Sequence, residues 1–147
     1  MLINDWNIYF LKRLFGQQRL ALRTEVKRLK ATLPPEDYVR HPQVKLYAAT
    51  MQAIKAKIPA DPFASHFALT GPLKKFGRVK KMGIPNRYRL FFRAFKVPES
   101  QSIFVLWLGY PRKEGDKKDC YRAFRKMVER GDFPDSLDDL MVESEQG

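Results

Sequence analysis

Residues 87–109 read RYRLFFRAFKVPESQSIFVLWLG, two runs rich in aromatic and β-branched side chains on either side of Val97-Pro98-Glu99-Ser100-Gln101. Such runs, punctuated by a Pro-containing turn, are strands, and a connection this short makes them antiparallel. The spacing predicts strands over Arg87 to Lys96 and Ser102 to Gly109, preceded by a third over Arg78 to Met82 across the turn Gly83-Ile84-Pro85-Asn86. Ile103 to Leu108 is apolar at consecutive positions, which puts that strand in the middle of the sheet with both faces covered. In the run before it, a period of two sends Tyr88, Leu90, Phe92 and Ala94 to one face, read as core. Arg87, Arg89, Phe91, Arg93 and Phe95 go to the other, read as an open surface with guanidinium groups at ~7 Å steps and aromatics between them. Arg78 and Lys80 add two cations from the neighbouring strand.

Outward from this sheet the chain turns helical. Upstream, Pro59, Pro62, Gly71, Pro72 and Gly77 mark residues 59–77 as a connecting loop. Before it, Leu11, Phe15, Leu22, Val26, Leu29 and Leu33 recur at helical spacing until Pro34-Pro35, and Tyr47, Met51, Ile54 and Ile58 line a second helix that starts at Pro42. The two read as a hairpin joined by a short polar turn. The first ten residues read as one short strand. Downstream, Asp116 is placed to cap a helix over Lys117 to Arg130, ended by Gly131. The fold expected is α+β: an N-terminal helical hairpin packed on a small antiparallel β-sheet, with a C-terminal helix. Residues 1–147 form one domain, the last seventeen (131–147) a short acidic tail.

The charge is unevenly spread. Residues 1–70 carry 11 basic and 5 acidic side chains, residues 71–130 carry 17 and 5, and residues 131–147 carry none and 6. A basic segment of this density is expected to attract a polyanion, nucleic acid first. No run is apolar enough to span a bilayer, and Asn4, Asp5, Lys12 and Arg13 break up the N-terminus, so no membrane contact and a cytoplasmic location are expected. Cys120 is the sole cysteine, which excludes a disulfide scaffold or a zinc finger.

Chemistry narrows by elimination. Glu99, Glu114, Asp116, Asp119 and Glu129 are the only acids of the basic segment and sit in turns or on the last helix, a poor set for holding Mg²⁺. No cofactor or metal is expected. His41 and His66 both lie in the N-terminal half, where they could form an acid–base pair only if the fold brings them together, and read as capping or surface residues; neither a Walker loop nor a Gly-x-Ser-x-Gly elbow occurs. RNA brings its own nucleophile, the 2′-OH, so cations and a phenol suffice to position it, take its proton and neutralise the phosphorane. Lys80, crowded by Arg78, Lys81 and Arg89, is expected to have a lowered pKa suited to a base, and Tyr121 sits at the edge of the apolar stripe Cys120, Phe124, Met127, Val128.

The strings Arg78-Val79-Lys80, Arg87 to Arg93 (RYRLFFR) and Lys117 to Gly131 (KKDCYRAFRKMVERG) resemble the YhaV family of bacterial toxins, within the wider RelE-like ribonuclease superfamily. The resemblance implies a toxin of a type II toxin–antitoxin system that acts as a metal-independent endoribonuclease, an mRNA interferase. It places catalytic roles on Lys80, Arg89, Arg112 and Tyr121, with Lys113 replacing Arg112 if the loop is shifted; together with the basic strand face it leaves Arg78, Lys81, Arg87, Arg93 and Lys113 as the expected RNA contacts. It also implies RNA as substrate, free or on the ribosome, and a PrlF-like antitoxin through which alone the pair would reach operator DNA. The chain departs from the family pattern in a shorter segment after Trp107 and in Phe76 where a Trp is usual. A noncatalytic RNA- or ribosome-binding module using the same basic face is the alternative, and a relative that poisons a protein target is a third reading.

Overall fold

The computed structural model describes residues 1–85, 87–110 and 119–147. Among them, six strands form one sheet: β1 (Leu2–Ile3), β2 (Trp6–Leu11), β3 (Gly77–Val79), β4 (Arg89–Val97), β5 (Ser100–Gly109) and β6 (Ser144–Gln146). The spatial order is β1-β2-β5-β4-β3, with β6 alongside β2. Strand β5 is central, as its apolar run requires. The sheet is mixed rather than antiparallel, because β2 pairs parallel to β5 (Ile8 opposite Ile103, Phe10 opposite Val105) while β4 pairs antiparallel to it. A central strand needs a neighbour on each edge. The β4–β5 hairpin provides one, and β2 can run parallel because a long helical segment separates it from the rest of the sheet.

The N-terminal strand is itself two. Asn4 and Asp5 adopt φ of 51° and 67°, the left-handed region that Asn and Asp tolerate, and fold β1 back on β2. After β2, a π-helical turn (Lys12–Gly16) leads into α1 (Gln17–Thr32), which stops before the two prolines. The expected polar turn contains a helix, α2 (Pro35–Arg40), started by Pro35 with Glu36 and Asp37 in its first turn. Helix α3 (Pro42–Gln52) follows, continued by a π-helical stretch (Ala53–Lys57) and a last turn, α4 (Ile58–Ala60). His41 caps α3, its Nδ1 accepting the Gln43 N–H at 3.1 Å.

Both faces of the sheet are covered, and this corrects the open basic surface expected of β4. On one face Ile8, Phe10, Leu90, Phe92, Ile103 and Val105 pack with Leu46, Ile54 and Ile58 of the helical hairpin. On the other, Leu11, Phe91, Phe104 and Leu106 pack beneath Cys120, Phe124 and Met127 of α5 (Asp119–Glu129). Phe91 is fully buried and stacks on Phe124 with ring centroids 4.0 Å apart, so it cannot receive a base. The apolar residues of the strand's second face thus mark a second core.

The acidic C-terminal segment is folded into the sheet. Ser136 accepts the Asp139 N–H at 3.1 Å and starts α6 (Leu137–Val142), Leu140 is fully buried, and β6 pairs with β2. Strand β3 is shorter than expected and β4 starts two residues later, leaving Lys80, Lys81 and Arg87 in the turn between them. The Asp116 cap lies outside the described residues. No described helix is long and apolar enough to cross a membrane.

Candidate active site

The site is assembled by a β-bulge. In the β4–β5 ladder Phe92 pairs with Val105 but Phe91 pairs with Trp107, so Leu106 is the extra residue. The bulge shifts the alternation of β5 and turns Trp107 and Gly109 towards α5. A Cβ on Gly109 would lie 2.4 Å from the Trp107 ring and 2.7 Å from Cys120 Sγ, so only glycine lets the start of α5 settle here. That close approach sets the position of Tyr121, which follows Cys120.

Tyr121 is half-buried over the junction of β3 and β4. Arg89, opposite Gly109, donates its Nε–H to the Tyr121 hydroxyl at 3.1 Å and one terminal N–H to the Tyr88 carbonyl at 2.7 Å. Arg78, opposite Phe91 on β3, holds its guanidinium carbon 5.8 Å from the Tyr121 ring centroid, and that of Arg89 lies at 6.0 Å. Phe91 closes the set from below, edge-on to the ring at 5.9 Å. Arg78 also donates to the His66 carbonyl at 3.5 Å, while its Nε–H is buried with no acceptor.

Lys80 and Lys81 are exposed just beyond β3. Lys81 and Met82 have φ of 62° and 56°, a left-handed conformation that the Cβ of an L-residue disfavours. The turn is held shut by the Ile84 N–H on the Lys81 carbonyl at 3.0 Å and by burial of the Ile84 side chain. The lysine pKa of residue 80 is pushed below its ordinary value, first by the Arg78 charge, then by desolvation, then by Lys81 and Arg89. This crowding is the one expected from the sequence, although Lys80 has left the strand. Arg87 is exposed in the same turn.

The remaining expected residues divide. Arg112 and Lys113 lie outside the described residues. Arg93 is not with the others: further along β4, its guanidinium donates to the Asp135 carbonyl at 2.6 Å, pairs with the Asp135 carboxylate at 3.3 Å and lies over Phe95 at 4.4 Å. Lys75 pairs with the same carboxylate, and the two cations, Lys75 first, hold the Asp135 carboxyl below the usual range. Nothing in the pattern of residues 67–77 signals that the backbone of His66 reaches Arg78, since the loop between them carries no periodicity. Among the described residues no three His, Cys, Asp or Glu side chains gather as a metal site would require.

A pair of arginines around a tyrosine, next to a lysine with a depressed pKa, on the seam between sheet and helix is an arrangement for handling a phosphodiester. Residues 9–145 match the YhaV toxin family, described as a toxin with endonuclease activity, of a toxin–antitoxin system. The chain belongs to the YhaV family of endonuclease toxins. It is 33% identical over 153 aligned positions to the ribonuclease toxin YhaV of Escherichia coli (strain K12), covering 98% of this chain and 95% of the relative. The identity and coverage are the same for the toxin YhaV of Escherichia coli strain CFT073. No solved structure matches the chain.

Proposed function

We propose that the chain is the toxin of a type II toxin–antitoxin pair and cleaves RNA without a metal, the RNA 2′-OH attacking the adjacent phosphorus. The observation that carries this reading is the Arg89–Tyr121 hydrogen bond, which fixes a phenol beside two guanidinium groups. Lys80, as the neutral amine, takes the 2′-OH proton. Arg89 stabilises the phosphorane, and Arg78 positions the phosphate, one of whose oxygens would supply the acceptor that its buried Nε–H lacks. Tyr121 gives its proton to the leaving 5′-oxygen, and the Arg89 hydrogen bond offsets the charge left on the phenolic oxygen. The products are a 2′,3′-cyclic phosphate and a 5′-hydroxyl, so atoms balance without water.

In the same reading Arg112, or Lys113, adds a second stabilising charge, and Lys81 and Arg87 hold flanking phosphates. Arg93 is left out of the RNA-contacting set because Asp135 occupies it. Membership of a toxin–antitoxin family implies an antitoxin partner, for which a PrlF-like protein that also carries the pair to operator DNA is the proposed identity. RNA and antitoxin would meet the toxin in the cytoplasm.

Purified protein incubated with RNA in excess EDTA, with and without ribosomes, tests the reading. Cleavage is expected to persist in EDTA. Activity that vanishes with EDTA and returns with Mg²⁺ overturns it.

A further inference from the structure

On the flank of α5 opposite Tyr121, a cavity of about 280 Å³ opens between the helix and the end of β5. Its walls are Trp107 and Tyr110 from β5 and its exit, Lys126 from the last turn of α5, Arg130 just past the end of that helix, and Gln18 from the start of α1. We propose that this cavity receives a nucleobase of single-stranded RNA a few nucleotides from the cleaved phosphodiester, an inference that rests on the reading of the site as a ribonuclease.

The wall chemistry is that of a nucleotide site. Tyr110 is 55% exposed, a large ring in water just past the sheet, and Trp107 is half-buried with its indole already layered over Phe91 and Phe124. Rings presented this way stack on any base, and cations beside them hold the adjoining phosphate. Lys126 makes no ion pair with any described residue, while Arg130 is shared with Asp132. The volume is ample for one base. Gln18 supplies a polar group of fixed orientation: its amide donates to the Leu108 carbonyl and accepts the Leu108 N–H, both at 2.9 Å. That leaves one N–H and one lone pair for the edge of a base.

The placement follows from α5. Tyr121 and Ala123 lie two residues apart on opposite flanks of the helix, Tyr121 over Arg89 and Ala123 lining the cavity. An α-helix with its side chains is about 10 Å across, so the path over it from flank to flank is roughly 16 Å, a span that an RNA strand covers in two or three nucleotides. A strand whose phosphate sits at Arg89 therefore reaches the cavity with a base two or three positions away, giving the enzyme a preference at that position.

The test uses a 2′-O-methyl RNA tetranucleotide, which lacks the nucleophile and cannot be cut, and the same molecule with an abasic residue at one internal position. Binding is read by fluorescence. Trp6 is buried, so the expected signal is a saturable quench of Trp107 that disappears in Trp107→Phe. Removing the base at the position that fills the cavity should weaken binding about tenfold. Tyr110→Ala should weaken the intact tetranucleotide about tenfold and show no further penalty for the abasic one. Lys126→Ala should reduce the slope of log affinity against log salt by about 0.7. No Trp107 quench, or an abasic penalty that is the same in wild type and Tyr110→Ala, overturns the inference. A chain that quenches but never cuts natural RNA keeps the base site and sinks the ribonuclease reading. One that cuts without quenching does the reverse.

Discussion

The Nε–H of Arg89 meets the hydroxyl of Tyr121 at 3.1 Å and so ties the first residue of β4 to the first turn of α5. Neither residue reaches the other without the bulge at Leu106, which turns Gly109 under the helix. The catalytic reading therefore depends on how α5 is seated as much as on which side chains it carries.

Arg89→Ala should slow RNA cleavage roughly a hundredfold or more, as loss of a charge-stabilising donor does, with the fold intact by circular dichroism. Tyr121→Phe keeps the edge contact with Phe91 and removes only the hydroxyl. The double variant should be much less than multiplicative, because the two act through one hydrogen bond. Single-turnover rates on a short RNA decide it, and full activity in Tyr121→Phe would reduce Tyr121 to a packing residue.

The pH dependence of cleavage should report Lys80. A general base works as the free amine, so the rate should rise with pH through an inflection below the ordinary lysine value of 10.5. Arg78 is the largest cause of that depression, so in Arg78→Gln the inflection should move up and the rate at neutral pH should fall. A profile unmoved by Arg78→Gln would detach Lys80 from the chemistry.

Gly109→Ala should be destabilising and inactivating together. The new methyl would meet the Trp107 ring and Cys120 Sγ well inside van der Waals contact, and such overpacking typically costs ~1–3 kcal/mol. Lifting α5 would also part Tyr121 from Arg89. Urea unfolding and the cleavage rate measured on the same protein check both effects.

The helices α1, α3 and α5, the strands β3 to β5, the central place of β5 and the crowding around Lys80 were legible in the sequence, because each rests on local pattern: an unbroken apolar run, helical spacing, adjacent cations. What was not legible depends on pairing. The parallel β2–β5 ladder brings together residues nearly a hundred positions apart, and the bulge at Leu106 leaves no mark in an apolar string. Phe91, read as an aromatic on an open basic face, became core once α5 covered it, and Phe95 is partly buried at the margin of the same cluster. The same alternation serves a solvated face or a second core, and only the covering element decides.

The acidic C-terminus offers a further check. With Leu140 fully buried and β6 paired to β2, Leu140→Ala should cost about 2–5 kcal/mol of stability, as other buried leucines do. A denaturation midpoint unchanged by Leu140→Ala would show that the segment detaches freely in solution.

Cleavage through the 2′-OH is tested most directly by an RNA that carries a single 2′-deoxy nucleotide at the mapped cut. In excess EDTA the all-RNA strand should be cut to a 2′,3′-cyclic phosphate and a 5′-hydroxyl, and the deoxy-substituted strand should survive at that position. Cutting of the substituted strand at the same bond, or products with a 5′-phosphate, would contradict the mechanism built on Lys80, Arg89 and Tyr121.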